Sequence, residues 1–170
     1  MNLINHTFKF RKAGEWQDVS TLELFNSKRV VIFGLPGAFT PTCSSKQLPG
    51  YEERYGELIE LGVDEVYCVS VNDAFVMNAW ADAQGIEKVK MIPDGDGTFT
   101  RSLGMLVNKP KQGFGLRSWR YSAVLNAGLV EKWFEEPGLN NHSNDQDPYI
   151  ESTPEKVIKF IEETQQDINE

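Results

Sequence analysis

One short run of apolar residues constrains the fold of this chain more than any other feature. The stretch Arg29–Leu35 has the sequence Arg-Val-Val-Ile-Phe-Gly-Leu and ends directly before Pro36 and Gly37. A short continuous run of this kind, without alternating polar side chains, is typical of a strand that is buried on both faces of a sheet. We therefore expect residues 29–35 to form a central strand.

Helix and strand patterns alternate after this strand. Residues 44–61 carry apolar side chains at helical spacing, and Gly62 follows them as a stop signal. Residues 63–71 predict a second buried strand, and hence a parallel β-α-β unit with a right-handed crossover. A second helix is expected over residues 73–83 and a short third strand over residues 89–92.

Both ends of the chain predict elements outside this unit. Residues 7–19 have the alternation and the turn of an N-terminal hairpin. Residues 119–125 and 129–134 flank a short Asn-Ala-Gly loop, which predicts an antiparallel hairpin. A last helix begins near Pro154, since proline suits the first helical position. The order β-α-β then β-β-α predicts an α/β, thioredoxin-like fold with an N-terminal β-hairpin extension, in one domain over residues 1–170.

Length and charge exclude several classes of protein. A chain of 170 residues closes one core and is short for two ordinary domains. The 25 acidic and 17 basic residues give a net charge of −8, so the surface repels nucleic acid and anionic lipid. No apolar run approaches the roughly 18 residues that cross a bilayer, and the start lacks the apolar region of a secretory signal. Two Cys and two His give neither a disulfide framework nor metal-site spacing. We expect a cytoplasmic protein that binds no metal, nucleic acid or membrane.

A single cysteine, Cys43, lies between the central strand and the helix predicted over residues 44–61. Free backbone N–H groups and the positive end of the helix dipole favour a thiolate over a thiol at such a position. Thr40 lies three residues earlier, so its hydroxyl is expected to bond the sulfur or an incoming oxygen. Pro36 has no N–H donor and can cover the sulfur without competing for that bond.

The spacing Pro36-x-x-x-Thr40-x-x-Cys43 resembles the active-site motif of the peroxiredoxins. The wider sequence is similar to their type II, Prx V-like branch, which holds plant type II enzymes and the peroxiredoxin part of bacterial peroxiredoxin-glutaredoxin hybrids. This resemblance implies a thiol peroxidase that reduces hydrogen peroxide and small alkyl hydroperoxides through a cysteine sulfenic acid. It also implies an external thiol reductant and no cofactor. The matched blocks are residues 36–44, 69–80, 92–95 and 115–122.

The resemblance assigns roles to four residues. It implies that Cys43 is the peroxidatic cysteine, that Thr40 and Pro36 are its motif partners, and that Arg120 is the active-site arginine. A permanently cationic guanidinium favours the thiolate and stabilises the charge on the departing oxygen. Taken alone, Cys43 would more often be a buried apolar side chain, Thr40 a cap and Arg120 a structural ion pair. Arg117 could instead be the arginine that binds a carboxylate. We expect the sulfur to be anionic, beside a guanidinium and within reach of a dissolved oxidant.

The second cysteine, Cys68, decides how the sulfenic acid is recycled. It lies three residues before the end of the strand predicted over residues 63–71. At about 3.3 Å per residue, this places it roughly 10 Å below the sheet edge. A disulfide needs Cα atoms within about 7 Å, so a buried core residue is favoured and a resolving role stays open. Without a resolving cysteine, glutathione with glutaredoxin is the favoured reductant, by analogy with the hybrids, and thioredoxin is the less favoured one.

Two other functions are alternatives to a thiol peroxidase. A thiol-disulfide oxidoreductase normally has a second cysteine three residues after the first, where this chain has Lys46. A non-catalytic thioredoxin-fold binding module or holdase would retain the fold without consuming peroxide.

The resemblance also implies a homodimer formed through the face that carries the active-site loops. Phe39, Phe75 and Trp80 are the expected exposed aromatic residues near those loops. Residues 137–151, rich in Asn and Asp, predict a solvated surface loop, to which we assign no function.

Overall fold

The structure is a computed structural model that describes residues 3–169. The strands of this part of the chain are β1 (Thr7–Lys12), β2 (Glu15–Ser20), β3 (Arg29–Leu35), β4 (Glu65–Ser70), β5 (Lys90–Pro93), β6 (Leu106–Lys109), β7 (Gly115–Ser118), β8 (Tyr121–Asn126) and β9 (Leu129–Glu135). Its α-helices are α1 (Thr21–Phe25), α2 (Leu48–Glu60), α3 (Ala74–Gln84), α4 (Thr98–Ser102) and α5 (Pro154–Asn169). A π-helical turn, Cys43–Gln47, directly precedes α2.

The central sheet has the strand order β5-β4-β3-β8-β9. The first three of these strands are parallel, whereas β8 and β9 join antiparallel. The predicted hairpin of β1 and β2 forms a separate two-stranded sheet, and β6 and β7 form a third sheet. The prediction of an α/β, thioredoxin-like fold is therefore confirmed.

The central strand separates two apolar layers. Val31, Phe33 and Leu35 face a cluster that includes residues of α2, α3 and α5. Val30 and Ile32 face a second cluster, which includes aromatic residues from β1, α1 and α4. Because both faces of β3 are covered, its residues are apolar without alternation, as the sequence pattern predicts.

Several short elements were not predicted. The helices α1 and α4 have five residues each, and β6 and β7 have four, which is too short for a periodic pattern to emerge. Local caps hold the two helices, since Ser20 accepts from the N–H of Glu23 and Asp94 accepts from the N–H of Thr100. The strand predicted from residue 119 begins at Tyr121, because the N–H of Trp119 donates to Met105 instead of to a strand of the central sheet. No helix in residues 3–169 is long and apolar enough to cross a membrane.

A glycine in β3 permits a close contact between β3 and β8. This contact joins the parallel and antiparallel parts of the sheet where the site is built. Gly34 pairs with Tyr121 of β8, the residue that follows Arg120. A Cβ atom at position 34 would lie 2.1 Å from Cε1 of the Tyr121 ring. The ring therefore lies directly against the backbone of β3, and a larger residue would push β8 away.

We expect Gly34→Ala to lower the free energy of unfolding by about 1–3 kcal/mol, because the buried ring has no room to retreat. Urea unfolding would measure the change. Gly56→Ala is the matched control, since Gly56 is an exposed residue of α2 with open space around its Cα. That substitution should raise the stability by up to about 1 kcal/mol. Equal effects of the two substitutions would contradict the packing argument.

Candidate active site

The predicted nucleophile is the first residue of the π-helical turn. Cys43 follows the loop that leaves β3, and its carbonyl accepts from the N–H of Leu48. Its Sγ accepts a hydrogen bond from Nη1 of Arg120, at 3.4 Å. No backbone N–H of the described residues donates to this sulfur, so the donor at the site is the guanidinium and not the helix start that the sequence suggested.

Arg120 comes from the second half of the fold and is 2% exposed. It precedes β8, and its carbonyl accepts from the N–H of Glu136 at 3.1 Å. Besides Cys43, Nη1 donates to Oε1 of Gln47, and Nη2 forms an ion pair with Asp147. Burial by itself lowers the pKa of Arg120, but the neighbouring Cys43 and Asp147 raise this pKa above its ordinary value. A buried cation therefore faces the sulfur.

The burial of Cys43 differs from the expectation. The residue has 0% of its surface exposed, so in this conformation a dissolved oxidant does not reach the sulfur directly. Pro36 and Gly37 are also buried, whereas Phe39 at the tip of the same loop is 57% exposed. Access of a solute to this sulfur therefore requires a local opening of this loop or of the π-helical turn, a helix type that is often found at functional sites.

A bond from Thr40 to an incoming oxygen stays a prediction, but in this structure its hydroxyl does not bond the sulfur. It donates to the carbonyl of Gly37 at 2.7 Å, and the carbonyl of Thr40 accepts from the N–H of Ser44. The physical reason is the tight turn before Thr40, in which Phe39 has a left-handed φ of 64° and directs the hydroxyl back to Gly37. Thr40 thus fixes the loop that leads to Cys43.

Arg117 holds the other side of this loop. Its Nη1 donates to the carbonyl of Pro36 at 3.2 Å, and its Nε donates to the carbonyl of Phe114. A Cβ atom on Gly37 would lie 2.3 Å from Nη1. Arg117 has no carboxylate partner among residues 3–169, so the alternative that it binds one receives no support.

Cys68 lies in β4, beside Phe33 of β3, and is fully buried in the same apolar cluster as Cys43. Burial raises the pKa of the Cys68 thiol well above its ordinary value, and the nearby Cys43 raises it further. Both cysteines are free thiols. Because the thiolate is the form that attacks a sulfenic acid or a disulfide, Cys68 is a poor nucleophile where it lies.

Sequence reasoning missed two side chains of the site. Gln47 is fully buried and lies four residues after Cys43, so helical spacing could have placed both on one face. Asp147 lies 27 residues from its partner Arg120, in a segment without helix or strand, and no local pattern points to it.

One of the three aromatic residues expected on the surface is in the core. Trp80 is fully buried, because its face of α3 turns toward the sheet, and its Nε1 donates to Oγ of Ser44 at 2.9 Å. Phe39 and Phe75 are 57% and 55% exposed. Phe75 meets the exposed ring of Trp16 edge to face, at 5.3 Å between centroids. Of the three expected residues, Phe39 and Phe75 are therefore on the surface, with Trp16 beside Phe75, and Trp80 is not.

One cluster of side chains that could bind a metal ion does not include the sulfur. His6, Asp94 and Asp96 bring one ligand atom each within 4.8 Å of one another. Both carboxylate oxygens of Asp94 already accept backbone N–H groups at the start of α4, at 2.7 and 3.2 Å. Asp94 therefore has a structural role as a cap of α4.

The similarity to known proteins extends over most of the chain. A family model described as Redoxin matches residues 6–148. A peroxiredoxin of Rhizobium etli is 56% identical over 146 residues, which cover 86% of this chain and 81% of the relative. The hybrid peroxiredoxin hyPrx5 of Haemophilus influenzae is 48% identical over 155 residues, which cover 91% of this chain and 62% of the hybrid. The crystal structure of reduced Prx3 from Vibrio vulnificus in complex with hydrogen peroxide is 37% identical, with a TM-score of 0.85, and the match covers 95% of this chain and 96% of that one.

The raised pKa of Cys68 predicts slow labelling by alkylating reagents. In a Cys43→Ser variant Cys68 is the remaining thiol. Its alkylation at about pH 7 should be far slower than that of a free thiol with a pKa of about 8.5, and its rate should still rise above about pH 9, where the rate of the free thiol levels off. Mass spectrometry of the labelled protein would measure the rate, with the unfolded variant in urea as control. Labelling of the native variant at the rate of the unfolded one would contradict the prediction.

Proposed function

This chain belongs to the Redoxin family and is a peroxiredoxin of the type II, Prx V-like branch with thiol peroxidase activity. From that premise we propose which residues carry the reaction, which peroxides are reduced and which reductant recycles the enzyme. Cys43 is the nucleophile toward hydrogen peroxide and small alkyl hydroperoxides, and Arg120 is its electrostatic partner. The observation that carries this proposal is the hydrogen bond from the buried guanidinium of Arg120 to Sγ of Cys43. A buried sulfur loses the hydration that would stabilise a negative charge, and an adjacent cation replaces it.

The reaction transfers one oxygen atom to sulfur. The thiolate of Cys43 attacks one oxygen of the peroxide, a sulfur–oxygen bond forms and the O–O bond breaks. The other oxygen leaves with the electron pair of that bond and takes up a proton, which gives water from hydrogen peroxide or an alcohol from an alkyl hydroperoxide. Sulfur is oxidised by two electrons to the sulfenic acid, and the peroxide is reduced by two.

Two features of the site favour a small polar oxidant. Nε of Arg120 and Nε2 of Gln47 are buried donors without a hydrogen-bond partner in the described part of the chain, and a peroxide offers two oxygen acceptors. The complete burial of Cys43 disfavours bulky substrates. The Vibrio vulnificus protein was solved with hydrogen peroxide itself, which supports this substrate here.

An external thiol regenerates the enzyme in this proposal. The burial and raised pKa of Cys68 disfavour it as a resolving cysteine. Glutathione attacks the sulfenic sulfur, which gives a mixed disulfide and water. Glutaredoxin then reduces the mixed disulfide and takes up the glutathione. Similarity to the hybrid peroxiredoxin supports glutaredoxin over thioredoxin, because the hybrids of this branch are expected to carry a fused glutaredoxin module.

The same proposal includes a homodimer in the cytoplasm, with no cofactor. The exposed rings of Phe39, Phe75 and Trp16 are the apolar surface from which a dimer contact near the active-site loops would be built. A chain with two cysteines has no disulfide framework of the kind that small secreted domains carry, which supports a reducing compartment.

The roles of Cys43 and Arg120 are tested by substitution. Cys43→Ser should abolish thiol-dependent peroxide consumption. Arg120→Met should slow the reaction of the reduced enzyme with hydrogen peroxide by on the order of 100-fold, because it removes the donor aimed at the developing charge. Stopped-flow consumption of peroxide would measure the rate, with Arg101→Met, an exposed arginine of α4, as matched control. Unchanged peroxide consumption by Cys43→Ser would refute the assignment of the nucleophile.

The choice of reductant is tested at the second cysteine. Cys68→Ser should keep most of the turnover with glutathione and glutaredoxin, and glutaredoxin should support faster turnover than thioredoxin does. Since serine buries a hydroxyl in the core, Cys68→Ala is measured beside it to separate lost stability from lost chemistry. A fall of both variants to the level of Cys43→Ser would assign Cys68 as the resolving cysteine.

A further inference from the structure

The segment between β9 and α5, residues 136–153, contains no helix or strand and still contacts the active site. We call it the strap. The sequence predicts a solvated loop over residues 137–151, yet Ser143 is buried and the side chain of Asp145 is only 7% exposed. The segment is a loop with many exposed residues, as predicted, but these two polar side chains are largely shielded from solvent.

One end of the strap is held by a single buried carboxylate. Glu136 is fully buried, and its two oxygens accept from the N–H groups of Ile150, Glu151 and Ser152 at 2.7 to 3.1 Å. They also accept from the hydroxyl of Ser152 at 2.6 Å. A carboxylate with this many donors fixes the backbone of the strap directly after Tyr149.

A second anchor, in the middle of the strap, is a buried ion pair. Nζ of Lys109 lies 3.3 Å from Oδ2 of Asp145, and Lys109 is 3% exposed. Oδ1 of Asp145 accepts from the N–H of Asp147 at 2.9 Å. Burial by itself raises the pKa of Asp145, but the N–H of Asp147 and the charge of Lys109 bring this pKa below its ordinary value. The ion pair thus fixes the backbone of Asp147 itself.

Between these two anchors, the strap contacts Arg120 from the side opposite to the sulfur. Asp147 adopts a left-handed φ of 52°, which aspartate tolerates, and its carboxylate pairs with Nη2 of Arg120. The ring of Tyr149 lies 5.9 Å from Cζ of the same guanidinium. A guanidinium is planar and rigid, so fixing Nη2 also fixes the direction in which Nη1 points.

We propose that Asp147 is a positioning residue for peroxide reduction, which acts through Arg120 by holding Nη2 so that Nη1 faces Sγ of Cys43. The strap supplies Asp147 in a preformed position. Glu136 anchors the strap after Asp147, and the pair of Lys109 and Asp145 anchors it before Asp147. This inference rests on the proposed role of Arg120 as the electrostatic partner of the sulfur.

The carboxylate of Asp147 also has an electrostatic effect, which opposes the benefit of positioning Arg120. Its negative charge offsets part of the charge of Arg120, and this alone would disfavour the thiolate of Cys43. Asp147 is 42% exposed at its side chain, so water screens this repulsion, whereas the geometric constraint on the guanidinium is unaffected by screening. Positioning therefore outweighs charge offset in this site.

The test compares Asp147→Ala with Asp147→Asn. The alanine variant should reduce hydrogen peroxide on the order of tenfold more slowly and hold a smaller thiolate fraction at neutral pH, because the guanidinium is free to turn away. The asparagine variant keeps an oxygen acceptor for Nη2 and should retain most of the rate. Stopped-flow kinetics and the ultraviolet absorbance of the thiolate measure the two quantities. If the alanine variant does not fold, Asp147→Ser replaces it.

Two further variants separate positioning from damage to the fold. In an Arg120→Met background Asp147→Ala should slow the reaction no further, since its partner is already absent. His142→Ala, in an exposed part of the strap, should leave the rate and the thiolate fraction unchanged.

The outcomes distinguish this inference from the proposed function. A rate for Asp147→Ala equal to or above that of the unaltered enzyme would overturn the inference, as would the same slowing in the Arg120→Met background. If Arg120→Met itself left the rate unchanged, the proposed role of Arg120 would fail first, and the inference would fail with it.

Discussion

The contact between the guanidinium of Arg120 and the sulfur of Cys43 is the interaction on which the rest of the site depends. Each partner is buried, and neither would be stable as an isolated charge in the interior. The guanidinium is the hydrogen-bond donor to the sulfur, and its other N–H groups need further acceptors, two of which Gln47 and Asp147 supply. The site is therefore a small network of charges and not a single activated cysteine.

The topology of the sheet explains why these groups meet. The β-α-β half of the fold delivers Cys43 at the carboxyl end of β3, and the β-β-α half delivers Arg120 just before β8. The two strands are direct neighbours, and Gly34 lets them pack closely at this end. The strap adds the third component from the connection to α5. Three remote parts of the chain thus form one polar cluster above an apolar core.

The parts of this arrangement that could be predicted from sequence depend on local patterns. The uninterrupted apolar run of β3 and the position of Cys43 after it are visible in a few residues, and Arg120 was found through a resemblance between sequence blocks. The direction of the Thr40 hydroxyl depends on one backbone angle at Phe39, which no spacing rule supplies. Asp147 meets its partner only in the folded chain, and the burial of Trp80 depends on which face of α3 turns inward.

The division of the core by β3 has a consequence for how substitutions in each apolar layer affect this protein. Both cysteines lie in the layer beneath α2 and α5, whereas the aromatic residues of β1, α1 and α4 fill the opposite layer. In that opposite layer, the residues of β1, α1 and α4 lie in a cluster that includes neither cysteine nor Arg120, so we expect their substitution to change the stability of the fold first. Substitutions in the layer beneath α2 would also displace Cys43, so the two layers constrain substitution differently.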